Sequence, residues 1–135
     1  MAAKFLSRED ILKASVLRSE AVEVPEWKGS IRVQELDGYS RDVLDTLTYK
    51  DQRANLPDTE FSSNWRVRVV ALSVVDAEGH RMFSLEDAEI LKAMPDTVLR
   101  KLYAVARKLS GLGAELEEQA KEGFLAIQNG GLSSG

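Results

Sequence analysis

The hydrophobic period of this chain changes along its length, and that change restricts the folds open to it. Val22 and Val24 alternate with Glu23, and Ile31 and Val33 alternate with Arg32. Between the two runs lies Pro25-Glu26-Trp27-Lys28-Gly29-Ser30. Two alternating runs around a turn containing Pro and Gly read as a β-hairpin with Val22, Val24, Ile31 and Val33 on its core face. A lone hairpin is marginal in water, so this one needs a packing partner. Downstream the spacing becomes helical. Val98, Leu99, Leu102, Val105, Ala106 and Leu109 form one apolar stripe, with Arg100, Lys101, Arg107 and Lys108 off it. The expected class is therefore α+β: a mostly α-helical single domain with an N-terminal β-hairpin.

The remaining elements follow from caps and breakers. Ser7, with Glu9 and Asp10 behind it, predicts a short helix over 7–14. Ser40 predicts a cap for a helix carrying Val43, Leu44 and Leu47 and ending near Arg53. Residues 55–59 read as a loop. The stretch from Ser63 to Val75 is nearly continuously apolar from Val69 onward and rich in β-branched residues. A buried strand and a buried central helix both fit such a run; length favours the helix. Asp76-Ala77-Glu78-Gly79 is a turn, and His80 to Phe83 leave it extended. Ser84 and Asp87 open a helix with Leu85, Ala88, Leu91 and Met94 on one face, stopped by Pro95. Asp96 is then expected to cap the striped helix, which ends at Ser110-Gly111. A last amphipathic stretch, 114–128, places Leu116, Ala120, Phe124 and Ile127 on one face. Residues 129–135 read as a flexible tail, so the single domain is expected to span 1–128.

Composition narrows the chemistry. The 135 residues include no Cys and one His. That removes thiolate nucleophiles, disulfides and cysteine metal sites, and leaves zinc without a ligand set. No nucleotide-binding glycine loop and no nucleophile elbow is present, so no cofactor is expected. His80, beside Asp76 and Glu78, faintly resembles part of a calcium loop, but the later oxygen ligands are missing and a solvated turn explains it better. Acidic pairs such as Glu9/Asp10, Glu86/Asp87 and Glu117/Glu118 sit at helix starts or on polar faces. An enzyme is not expected.

The net charge is −4, which argues against binding by broad phosphate neutralisation. Trp65-Arg66-Val67-Arg68 offers an aromatic and two cations to a nucleic acid, though both arginines are more simply the polar positions of a buried element. No apolar run reaches the ~20 residues of a membrane span. The N-terminus lacks the apolar core of a secretory signal. Two features suit protein contact instead. Trp27, in the hairpin turn, either folds back on the core, the favoured reading, or anchors a partner. The stripe Leu116, Phe124 and Ile127 either closes the core or faces another protein.

Four segments together resemble a known family. Ser-Arg-Glu-Asp-Ile-Leu-Lys-Ala at 7–14, Val-Glu-Val-Pro-Glu-Trp-Lys-Gly at 22–29, Val-Val-Ala-Leu-Ser-Val-Val-Asp-Ala-Glu-Gly-His-Arg-Met-Phe at 69–83 and Leu-Ser-Gly-Leu-Gly at 109–113 occur in the order found in tail assembly chaperones of long-tailed, siphovirus-type bacteriophages. The resemblance spans about residues 6–118 and includes no catalytic motif. It implies a non-catalytic protein of the host cytoplasm, absent from the mature virion. Such a protein binds the tape measure protein and keeps it soluble while tail tube subunits polymerise. The resemblance also implies self-association, contact with the tube protein and a longer frameshifted form of the same chain. The rival readings are a structural tail protein and a small nucleic-acid-binding regulator.

Overall fold

A computed structural model describes residues 4–112. The expected helix over 114–128, including Leu116, Phe124 and Ile127, and the tail 129–135 lie outside the described residues. Helix α1 spans Arg8–Ala14. Strands β1 (Ser19–Val24) and β2 (Gly29–Gln34) form the expected hairpin. Helices α2 (Gly38–Arg53) and α3 (Asp58–Ser73) follow, then strand β3 (Val74–Val75). A short 3₁₀ turn leads into α4 (Ala88–Lys92), and α5 spans Asp96–Ser110. The fold is α+β and mostly helical, with an antiparallel sheet ordered β1-β2-β3. No helix among the described residues is long and apolar enough to cross a membrane.

The hairpin register pairs Val22 with Ile31 and Glu20 with Val33. Val22, Val24 and Val33 are buried, and Ile31 packs against them from the edge of the core. The turn is a 3₁₀ segment, Pro25–Trp27, closed by Lys28 at φ 55°. Proline sets the first turn angle, and the left-handed Lys28 returns the chain into β2.

The ambiguous run resolves into both of its readings. Trp65, Val67 and Val69 to Ser73 lie on α3 and are buried. Val74 and Val75 then extend and pair with Val33 and Arg32 of β2. Helix and strand join without a loop. α3 also begins earlier than expected, at Asp58, because Pro57 precedes it and Asp58 and Glu60 favour the positive end of its dipole. The core lies between the sheet, α3 and α5. Leu44 of α2, Leu91 of α4 and Val98, Leu99, Leu102, Ala106 and Leu109 of α5 complete it. The predicted α5 stripe is thus the buried face, with Val105 only partly covered.

Two caps differ from expectation. Asp37, not Ser40, caps α2: its Oδ1 accepts the Ser40 amide at 2.8 Å. Ser40 is buried, and its hydroxyl accepts a hydrogen bond from the Arg81 guanidinium. Likewise Pro95, not Asp96, holds the N-cap position of α5. Asp96 enters the first turn and turns its carboxylate sideways to Arg66 at 3.0 Å and Arg100 at 2.7 Å.

Arg18 joins three parts of the molecule. Its backbone pairs with Glu35, donating to the carboxylate at 2.8 Å and accepting the Glu35 amide at 2.8 Å. Its guanidinium donates to the Leu109 carbonyl at 2.6 Å, satisfying one of the carbonyls that a helix leaves open at its C-terminus. Beside it, the Leu36 amide donates to Ser110 Oγ at 2.9 Å. Gly111, at φ 64°, then turns the chain out of α5 in the left-handed conformation that glycine adopts without steric cost.

Candidate protein-interaction surface

The polar groups that suggested chemistry are engaged in holding the fold. His80 is exposed in the turn after β3. The ligand atoms of Asp76, Glu78 and His80 lie within 4.8 Å of one another. Asp76 Oδ1, however, already accepts the backbone amides of Glu78 and His80, each at 2.9 Å. The His80 amide is the main reason the Asp76 carboxyl sits below its ordinary range. This is a turn closed by its own aspartate.

The arginines that suggested nucleic acid are paired inside the molecule. Arg68 Nη1 meets Asp51 Oδ2 at 2.6 Å, with side-chain exposures of 17% and 13%. Asn64 donates to the same carboxylate at 3.1 Å. Burial works against the Asp51 charge, but the bonds from Arg68 and Asn64 outweigh it and hold the carboxyl below its ordinary value. Arg66 is tied to Asp96. Trp65 is buried, and its indole N–H donates to Tyr103 Oη at 2.9 Å, so its ring offers no stacking platform. On α5, Arg100 pairs with Asp96, Lys108 with Glu20 at 3.0 Å, and Arg107 lies over the Tyr103 ring at 5.3 Å.

Apolar surface is what the fold leaves outside. Trp27 stands at the hairpin tip, 50% exposed, and does not join the buried core. The favoured core reading of this residue therefore gives way to the exposed one. The hairpin is too short to bend its tip back, because its core-facing positions end at Val24. Tyr39 and Tyr49 stand out from α2, and Ile90 from α4. The largest concentration is one that the sequence reading did not single out. Five of the ten exposed large hydrophobic residues among those described fall between positions 5 and 16. They are Phe5, Leu6, Ile11, Leu12 and Val16, and Phe5 is 96% exposed. Helix α1 within this segment has no buried residue. Its only strong local feature is a capping box, in which Ser7 Oγ accepts the Asp10 amide and Asp10 Oδ2 accepts the Ser7 amide, each at 3.1 Å. No signal in the sequence pointed to it, since the spacing of Ile11, Leu12 and Val16 does not tell whether another element lies against them.

The fold has a structural counterpart. The described fold matches the bacteriophage HK97 tail assembly chaperone with a TM-score of 0.56. It is a tail assembly chaperone fold. The match covers 98% of the HK97 tail assembly chaperone and 76% of this chain, at 19% sequence identity. No protein-family profile matches the chain, and no curated protein matches its sequence. The shared tail assembly chaperone fold is consistent with the four-segment resemblance, which runs through α1, the hairpin, the α3–β3 junction and the end of α5.

Proposed function

We propose that this protein is a non-catalytic phage tail assembly chaperone. It binds the tape measure protein and keeps it soluble while the tail tube polymerises. The observation that carries the reading is the fold shared with the HK97 tail assembly chaperone over nearly all of that protein. The surface supports it: exposed apolar residues at 5–16 and at Trp27, set among charged side chains, suit contact with an aggregation-prone polypeptide. Many copies, each binding weakly, would coat a long partner through multivalency. The same reading places the protein in the host cytoplasm, outside the finished virion. It also includes self-association, contact with the tube protein and a longer frameshifted form.

Co-expression with a tape measure fragment tests it. The expected result is a complex recovered by pull-down and a shift of the fragment from pellet to supernatant. No complex and no gain in solubility would overturn the proposal. Mass spectrometry of purified virions separates this role from that of a structural tail protein, which would be found in the particle. The nucleic-acid reading loses support, since Arg66 and Arg68 are committed to Asp96 and Asp51.

A further inference from the structure

Helix α1 has seven residues and buries none of them. Helices this short are marginal in water unless another element packs on them. Arg8, Ile11 and Leu12 stand at i, i+3 and i+4 and share one face of the helix. Ile11 and Leu12 are about half exposed on it. Glu9 and Asp10 lie off that face, and Asp10 is held by Ser7 in the capping box. α1 therefore presents a small apolar face with one cation on it.

A face of matching character lies on the side of the sheet away from the core. Side chains alternate along a strand, so with Val22, Val24 and Val33 in the core, Ser19, Ala21, Ser30 and Arg32 stand on the opposite side. The register sets Ala21, Arg32 and Val75 in one row across β1, β2 and β3. A groove of about 640 Å³ runs over this row, and the exposed Met82 also lines it. Ser19, Ala21 and Ser30 are small, so an incoming helix can approach the backbone closely. Three strands measure about 10 Å across, the width of one helix with its side chains. The Arg32 guanidinium is already engaged, donating to Ser19 Oγ at 3.1 Å and to the Ala77 carbonyl at 2.7 Å. No residue of the chain's own α1 lines the groove.

The charges are complementary. The three strands and the turn at 76–79 carry Glu20, Glu23, Asp76 and Glu78 against Arg32, or 1 − 4 = −3, with Glu20 offset by Lys108 of α5. Residues 4–14 carry Lys4, Arg8 and Lys13 against Glu9 and Asp10, or 3 − 2 = +1. A symmetric pairing of two α1 helices would instead bring both Arg8 side chains onto one small apolar contact.

We propose that Ile11 and Leu12 of one copy dock in the sheet-face groove of a second copy, with Arg8 directed to its acidic rim. The contact joins two different surfaces, so every added copy leaves one α1 and one groove open. Further copies add head to tail, into a ring or a row. Trp27 does not line the groove and stays available to another polypeptide. The joint rests on the self-association in the chaperone reading and names the two surfaces that make it.

Sedimentation equilibrium of the full chain tests it. The unmodified protein should associate as its concentration rises. Leu12→Asp and Ala21→Arg should each weaken association by about thirtyfold or more, the worth of one buried leucine. Ser30→Arg blocks the same groove from β2 and should behave like Ala21→Arg. Leu12→Asp keeps an intact groove, and the two groove variants keep an intact α1. Mixed one to one with either of them, Leu12→Asp should therefore form dimers and nothing larger. Arg8→Glu should weaken association about threefold at low salt, an effect that fades as salt screens the pair. The chain has no Cys, so introduced thiols report directly. Leu12→Cys mixed with Ala21→Cys should form a disulfide between chains on mild oxidation, which requires Cα atoms within about 7 Å, and neither variant alone should do so. An unmodified protein that stays monomeric would overturn the joint together with self-association, and leave tape measure binding to its own test. Association that survives Leu12→Asp, or both groove variants, would overturn the joint and leave self-association standing. So would monomeric variants that fail to pair when mixed, the mark of a symmetric contact. A disulfide formed within one chain of the Leu12→Cys/Ala21→Cys double variant would overturn it in favour of α1 folding onto its own groove.

Discussion

Helices α3 and α1 both carry clustered apolar residues, yet their fates are opposite. Along α3, Trp65, Val67, Val69, Val70, Ala71 and Leu72 are all buried, because α2, α4 and α5 pack around it. Along α1 no residue is buried, and Val16 just beyond it is 72% exposed. Apolar content does not separate the two. What differs is length and placement: α3 has sixteen residues at the centre of the molecule, and α1 has seven ahead of the sheet. The body is held by its own packing. The N-terminal segment has apolar surface to offer and needs something else to cover it.

The largest break in that contrast should come from the body. Leu102 is fully buried on the α5 stripe facing the core. Leu102→Ala should cost about 3 kcal/mol through lost contacts and the cavity left behind, and lower the melting temperature by about 10 °C in calorimetry. Next is a partly buried ion pair, Arg68–Asp51. Asp51→Ala leaves a largely covered guanidinium without its carboxylate. The expected loss is about 2 kcal/mol, between the values for exposed and fully buried pairs, measured by urea denaturation. The same pair sets a pH dependence. Asp51 is held below its ordinary value of 3.8, so its contribution is complete above that pH and disappears as pH falls through the lowered value. The unfolding midpoint of Asp51→Ala should therefore fall less steeply in acid than that of the unmodified protein. The smallest effect belongs to α1. Leu12→Ala should change global stability by no more than about 0.5 kcal/mol in the same urea titration, since the segment opens separately from the body. A loss comparable to that of Leu102→Ala would show that α1 is part of the core and end the contrast.

Most of the body was legible because period and burial agree there. Alternation placed Val22, Val24, Ile31 and Val33 correctly, and the 3.6-residue stripe picked out the buried face of α5. The α3–β3 boundary was not legible. Val69, Val70, Val74 and Val75 suit either state, and only pairing with Val33 and Arg32, some forty residues earlier, makes the last two a strand. The caps at Asp37 and Pro95 were misplaced by one to three residues, since Asp37 and Ser40 both carry capping side chains and the choice depends on Arg81 reaching Ser40. The partners of Arg66 and Arg68 were hidden for the same reason: Asp96 and Asp51 lie thirty and seventeen residues away along the chain. Of the surface, the exposure of Trp27 was not legible: a large aromatic in a hairpin turn can fold back on the core or stand out, and the favoured core reading was the one that failed. The patch at 5–16 was not legible either, because helical spacing tells which side chains share a face and does not tell whether anything lies against it.

The direct passage from Ser73 into Val74 leaves no slack between the central helix and the sheet. Any shift of α3 along its axis would have to be taken up at the pairs of Val74 with Val33 and Val75 with Arg32. One inserted residue at this joint would swap the faces of Val74 and Val75 and take each out of the buried site that it now fills.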